Sequence, residues 1–328
     1  MAAGGGARNF NRVLVIRHGA LGDIVLSFPA FAAIRDANRD AEITLLTTAP
    51  FAGWLARAPW FDRVETDLRP AVHDIPGLLR LRRQLRGFDF VYDLQTSGRS
   101  SRYFRLAGSP PWSGIARGCS HPHANPGRNR MHSRERIAEQ LAAAGIAPLP
   151  QPDLAWLRGD PGIALPGRFI ALIPGASPHR PAKRWPANAF GALAARTGAQ
   201  CVIFGGKSEA GLAAEIRAAA PDAIDLTGRT DLAALAAGIA RAGLAIGNDT
   251  GPMHLAAALG VPSIVLFGGE SDPKLTAPRY PDDAWPTVLR APDLAGLPVD
   301  RVAAAVAGRH NHPSLSYEGA QNAGDHPA

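Results

Sequence analysis

Cysteine is scarce: the 328 residues hold two, Cys119 and Cys201, far apart and without metal-ligand spacing. That excludes a disulfide framework and gives no zinc motif. No apolar run approaches the roughly 18 to 20 residues needed to span a bilayer, and the opening MAAGGGARNFNR lacks the apolar stretch of a secretory signal. These absences imply a cytoplasmic protein. The sequence also lacks the GxGxxG turn of a dinucleotide-binding fold and an acid about 20 residues beyond it, which argues against a nicotinamide oxidoreductase.

What is present is an ordinary globular composition, 46% hydrophobic and 19% charged, long enough for two domains with full cores. Lys plus Arg exceed Asp plus Glu by 35 − 28 = +7, so anionic partners are favoured. Arginine is densest between Arg80 and Arg136. No recognition motif with interleaved aromatics accompanies it, which sets nucleic acid aside; an anionic membrane surface or a phosphorylated acceptor fits, as do solvated helix faces.

Short apolar runs alternate with helical periodicity. Val13 to Arg17, Glu42 to Thr47, Phe90 to Leu94 and Gly114 to Ala116 read as strands. Helices are expected from Asp23 to about Ala37, kinked at Pro29, then near Phe51 to Ala58, over Asp74 to Arg86 and over Ser133 to Ala144. The stretch CSHPHANPGRNRM has turn formers and no periodicity, so it reads as a mobile loop. His121, His123 and His132 stand in or beside it without a carboxylate or cysteine at ligand spacing, and no metal is expected there. After the proline-rich linker Pro148 to Pro152, strands recur at Phe169 to Ile173, Gln200 to Phe204, Ile224 to Leu226, Leu244 to Gly247 and Ser263 to Leu266. Helices separate them, and a closing helix runs from Val299 to Gly308. The pattern predicts an α/β protein of two Rossmann-like domains, 13–150 and 151–308, facing across a cleft. A disordered lead-in (1–12) and tail (309–328) flank them.

Candidate chemistry sits where strands give way to helices. His18-Gly19-Ala20-Leu21-Gly22-Asp23 follows the first strand. Asp23 reads either as a helix cap or as a general base facing the cleft. In the second half, Ser177 in PGASP and Lys183 in KRWP suit phosphate oxygens, and Glu209 in GGKSE suits ribose hydroxyls. That GKS is not a P-loop, because no glycine stands five residues before Gly206. Gly247-Asn248-Asp249-Thr250-Gly251 opens a helix with Pro252 in its first turn. Its amides and dipole favour an anion, Asp249 or Thr250 can cap them, and His254 follows one turn on. An ordinary capped helix is the plainer alternative.

The joint order of RHGALGDIVLSFPA, PGASPHRPAKRWP, FGGKSE and GNDTGPMHLAAALGVPSIVLFG resembles glycosyltransferase family 9, the lipopolysaccharide heptosyltransferases, across most of residues 13–290. The resemblance implies a GT-B fold with an N-terminal acceptor domain and a C-terminal donor domain. It also implies inverting transfer from a nucleotide diphosphate sugar, typically ADP-heptose, without a metal or other cofactor. The acceptor would be an anionic lipid-linked saccharide of the lipopolysaccharide core or a related glycan, with peripheral contact at the inner membrane. By the same match Asp23 is the base, Lys183 contacts donor phosphate, Glu209 contacts ribose, Asp249 holds the sugar, and Thr250 and Gly251 give amides to the diphosphate. Arg17, Gln95 and Arg99 are assigned to the acceptor side. His179-Arg180-Pro181 lengthens the phosphate loop and Arg184 stands beside the lysine, which leaves another donor sugar open. A non-catalytic sugar-nucleotide binder would keep Lys183 and the Asp249 turn while using Asp23 merely as a cap.

Overall fold

A computed structural model describes residues 10–177 and 180–310. The rest of the expected lead-in and tail, together with Pro178 and His179, lie outside the described residues. Both halves are doubly wound parallel sheets. The first holds β1 (Arg12–Ile16), β2 (Glu42–Thr47), β3 (Arg63–Thr66), β4 (Phe90–Asp93), β5 (Trp112–Gly114) and β6 (His121–Pro122), in the order β3-β2-β1-β4-β5-β6. Around it pack α1 (Leu21–Leu26), α2 (Phe28–Ala37), α3 (Ala49–Leu55), α4 (Ile75–Gln84), α5 (Gly98–Leu106) and α6 (Ser133–Ala143).

The second half repeats the plan with β7 (Ile170–Ile173), β8 (Cys201–Ile203), β9 (Ile224–Asp225), β10 (Leu244–Asn248), β11 (Ser263–Phe267) and β12 (Thr287–Arg290), ordered β12-β11-β10-β7-β8-β9. Its helices are α7 (Ala187–Thr197), α8 (Ala210–Ala219), α9 (Leu232–Ile239), α10 (Gly251–Ala258), α11 (Pro273–Thr276) and α12 (Val299–His310). The inner strands are covered on both faces, so they read as continuous apolar runs such as Val13 to Ile16, none of which is exposed. Chain order reverses between β1 and β4 in one sheet and between β7 and β10 in the other. Ligands of open parallel sheets bind at such switch points.

Several expectations need correction. The helix expected from Asp23 to Ala37 is two helices that break at Ser27, because Pro29 has no N–H to continue the ladder and takes the second position of α2 instead. Order begins before residue 13: Phe10 stacks on Phe90 at 5.2 Å and Arg12 opens β1. At the other end α12 continues two residues past Gly308.

β5 starts at Trp112, earlier than expected, and the stretch from Cys119 to Met131 is a built connection that contains β6 and a 3-10 turn at Arg128–Arg130. Side chains hold it where no periodicity could show. Asn125 donates to both Glu139 oxygens at 2.8 and 3.0 Å, and buried His123 lies 3.3 Å from the same carboxylate. The edge strands β3 and β12 were not expected, since each is half-buried and lacks an apolar run.

The halves meet along α1 and α10. A Cβ on Gly22 would lie 2.7 Å from the His254 ring, and one on Gly251 would lie 2.6 Å from Leu21. Only glycine allows these helix starts so close. The linker adds a second tie. Trp156 packs 5.4 Å from Trp54 and 6.1 Å from Phe28 in the first half, while Arg158 donates to the Leu259 carbonyl of the second at 2.6 Å. No helix among the described residues is long and apolar enough to cross a membrane.

Candidate active site

Asp23 sits in the first turn of α1, at the carboxyl edge of β1. Its Oδ2 accepts the Ala20 N–H at 3.1 Å, so the capping geometry is real, yet 42% of the side chain stays exposed. Arg17 backs it. That buried guanidinium donates to the carbonyls of Leu94 at 2.6 Å and Asp23 at 2.9 Å, and lies 3.3 Å from Asp23 Oδ1. Burial lowers the Arg17 pKa, against the pull of Asp23. Arg17 thus ties the Asp23 turn to the end of β4. Gln95, after β4, accepts the His18 N–H at 2.9 Å and so joins the two loops of the switch point. Arg99 is exposed in the first turn of α5 and donates to Pro70 O at 3.4 Å.

Across the cleft, Lys183 Nζ lies 2.7 Å from Asp249 Oδ2, with the two side chains 12% and 8% exposed. This pair overturns the expected cap. Neither Asp249 nor Thr250 bonds the start of α10 through its side chain, because Asp249 is turned to the lysine. The first-turn amides are therefore without a side-chain cap.

Asn248, which the sequence reading passed over, holds this arrangement together. Wholly buried, it accepts the Trp185 N–H at 2.9 Å and donates to the Pro174 carbonyl at 2.7 Å, clamping the Lys183 loop to the end of β10. A polar side chain closing a buried apolar strand was its only sequence signal. Asp93, at the end of β4, is the other omission. Burial first of all raises its pKa to about 6, while the amides of Gln95 and Thr96 bond its Oδ1.

Beside the β7–β10 switch point lies a cavity of about 560 Å³. Ser177, Glu209 and Thr250 line it with Gly175 and Pro252, and Ile173, Phe204, Leu232 and Leu235 make an apolar wall. Glu209 takes the Gly206 N–H at 2.7 Å and the Ser208 hydroxyl at 3.0 Å. A flat apolar ring, vicinal hydroxyls and an anion could each find a complement here, in a volume usual for a small ligand. Pro50 of the first half reaches the same cavity. Among the described residues no three His, Cys, Asp or Glu side chains converge as a metal set; His132, for one, pairs with the Ala277 carbonyl at 2.9 Å.

His254 is absent from that cavity. It packs under Gly22 and borders a separate cavity with Leu26, Phe28 and Tyr280. Burial lowers its pKa to about 4, although Asp249 and Asp23 pull the other way. An ordinary histidine takes up its proton near pH 6.5, so acidification loads the unfolded chain first and the native protein loses stability from pH 6.5 down to about 4. Asp93 contributes with the opposite sign, its proton uptake favouring the fold as pH falls below about 6. Only a variant separates the two. Between pH 7 and pH 5, wild type should lose about 2 kcal/mol relative to His254→Gln in urea denaturation. Parallel stability profiles would contradict the buried neutral imidazole.

Two doubly wound parallel domains, with a ligand-sized cavity beside the switch point of the second, are the GT-B fold of glycosyltransferases. Residues 78–286 match the family model of glycosyltransferase family 9 (heptosyltransferase), and the chain belongs to that family. It is 26% identical over 304 residues to lipooligosaccharide heptosyltransferase 2 of Haemophilus ducreyi, covering 81% of this chain and 86% of that one. Lipopolysaccharide heptosyltransferase 1 of Pseudomonas aeruginosa is 28% identical over 284 residues, 78% of each chain. The solved structure of E. coli heptosyltransferase WaaC with ADP shares the fold, with a TM-score of 0.73 and 24% identity over 90% of this chain and 99% of that one.

Proposed function

We propose that this glycosyltransferase moves a heptose from ADP-heptose, with inversion, to a lipid-linked core saccharide of lipopolysaccharide. The observation that carries the reading is the placement of the Glu209 and Ser177 cavity and the Lys183–Asp249 pair on one side of the α1–α10 junction, with Asp23 on the other. In the proposed reaction Asp23 takes the proton of the acceptor hydroxyl as that oxygen attacks the anomeric carbon. The carbon–oxygen bond to the diphosphate breaks on the opposite face, and ADP leaves with the bond's electron pair.

Negative charge grows on the leaving phosphate. Lys183 and the Thr250 and Gly251 amides meet it there, without a metal ion, as donors fixed in advance. Glu209 binds ribose, Asp249 holds the sugar, and Gln95 and Arg99 face the acceptor. The reading has the enzyme act in the cytoplasm, peripheral to the inner membrane that carries its acceptor.

A thermal-shift panel of ADP, UDP, GDP and NAD tests the donor. ADP at 100 times its dissociation constant should add about 2.7 kcal/mol to stability, and the other three should add little. Selective stabilisation by UDP or GDP would move the donor to another nucleotide sugar. A response to NAD alone would overturn the reading.

A further inference from the structure

Five large apolar side chains stand exposed among the described residues, and four of them fall in one short stretch: Leu68 at 68%, Val72 at 80%, Ile75 at 60% and Leu79 at 48%. Neither helix nor sheet requires this. Ile75 and Leu79 are i and i+4 on the outer side of α4, while Gly77 and Leu81 of the same helix are buried. Leu68 and Val72 belong to the turn before it, which folds back until Pro70 lies against Gly77. All four thus stand exposed within twelve residues of chain, at the start of α4 and in the turn that leads into it.

The net charge of this segment is positive. From residue 68 to residue 86 the single carboxylate is Asp74, and its Oδ1 is occupied by the Gly77 N–H at 2.9 Å, capping α4. Arg69, Arg80, Arg82, Arg83 and Arg86 lie in the same interval, all exposed.

The segment also has a fixed place relative to the site. Every strand of the first sheet is parallel, so the segment leaving β3 at Thr66 emerges from the same edge as the Asp23 loop after β1 and the Gln95 loop after β4. Direct ties follow. Asp67 Oδ2 takes the Tyr103 hydroxyl at 2.7 Å and lies 2.9 Å from His18 Nε2, and Arg99 reaches the Pro70 carbonyl.

We propose that residues 68–79, with the arginines of α4, dock this protein on an anionic phospholipid surface beside the acceptor side of the cleft. The proposal rests on the reading of the acceptor as lipid-linked. Apolar side chains that enter the headgroup boundary, flanked by guanidinium groups that meet phosphates, are what such a surface selects. A second copy of the chain fits less well. In a two-fold contact through this segment the arginines would face arginines, and four side chains give little of the area that a stable dimer buries.

Vesicle flotation tests the assignment, using phosphatidylcholine with and without phosphatidylglycerol. Wild type should float only with the anionic vesicles and release as salt rises. The combined variant L68S/V72S/I75S/L79S should lose about tenfold or more in partitioning. R80Q/R82Q/R83Q should lose about fivefold per arginine.

Both variants should keep wild-type stabilisation by ADP and wild-type transfer to a water-soluble acceptor without acyl chains. Wild-type binding that ignores phosphatidylglycerol, or an apolar variant that floats as well as wild type, would overturn the proposal. So would a wild-type dimer in sedimentation velocity that the apolar variant dissolves. Missing ADP stabilisation with vesicle binding intact would count against the donor reading and leave the docking surface standing.

Discussion

Asp23→Asn should lower kcat by about 10²- to 10⁴-fold, the usual contribution of a positioned general base, with ADP affinity changed by less than about tenfold. The substitution is chosen for what it keeps. An asparagine can still accept the Ala20 N–H, so the first turn of α1 retains its cap, and Arg17 still has the carbonyls of Leu94 and Asp23. What it removes is the proposed proton acceptor. The donor cavity is lined almost wholly from the other domain, so nucleotide binding has no reason to follow. Single-turnover transfer beside ADP titration separates the outcomes. Unchanged turnover would reduce Asp23 to its capping role, and equal losses in binding and turnover would show a collapsed α1–α10 junction.

The alternation of strand and helix was legible because buried parallel strands must be apolar on both faces; the runs at Val13, Phe169 and Leu244 could be little else. Edge strands escaped for the converse reason. Arg63–Thr66 and Thr287–Arg290 are half in water and carry mixed residues. Among the candidate residues, position along the chain showed that Asp23, Lys183, Glu209 and Asp249 follow strand ends, and the structure gathers them at two switch points.

Contact could not be read in the same way. That Lys183 spends its charge on Asp249, 66 residues away, or that His254 lies under Gly22 depends on how two domains meet. Arg17 illustrates the limit. As a residue type beside a cleft it suits an anionic acceptor, but its burial and its bonds to the Asp23 and Leu94 carbonyls could not be read from the chain.

The Lys183–Asp249 pair supports a second large effect. Lys183→Met should weaken ADP binding and slow turnover by about 10²- to 10³-fold, the cost typical of losing one fixed donor to a developing anion. It should also destabilise the protein by about 3–5 kcal/mol, because Asp249 would be left as an unpaired buried carboxylate. That second loss confuses the first, since a weakened fold can also lose activity. The double variant Lys183→Met with Asp249→Asn resolves them. Removing both charges relieves the stranded carboxylate, so urea denaturation should show most of the stability restored, while ADP affinity and turnover stay low. If transfer instead returned with stability, Lys183 would be a structural counter-ion to Asp249, and the charge of the leaving phosphate would fall to the amides of α10.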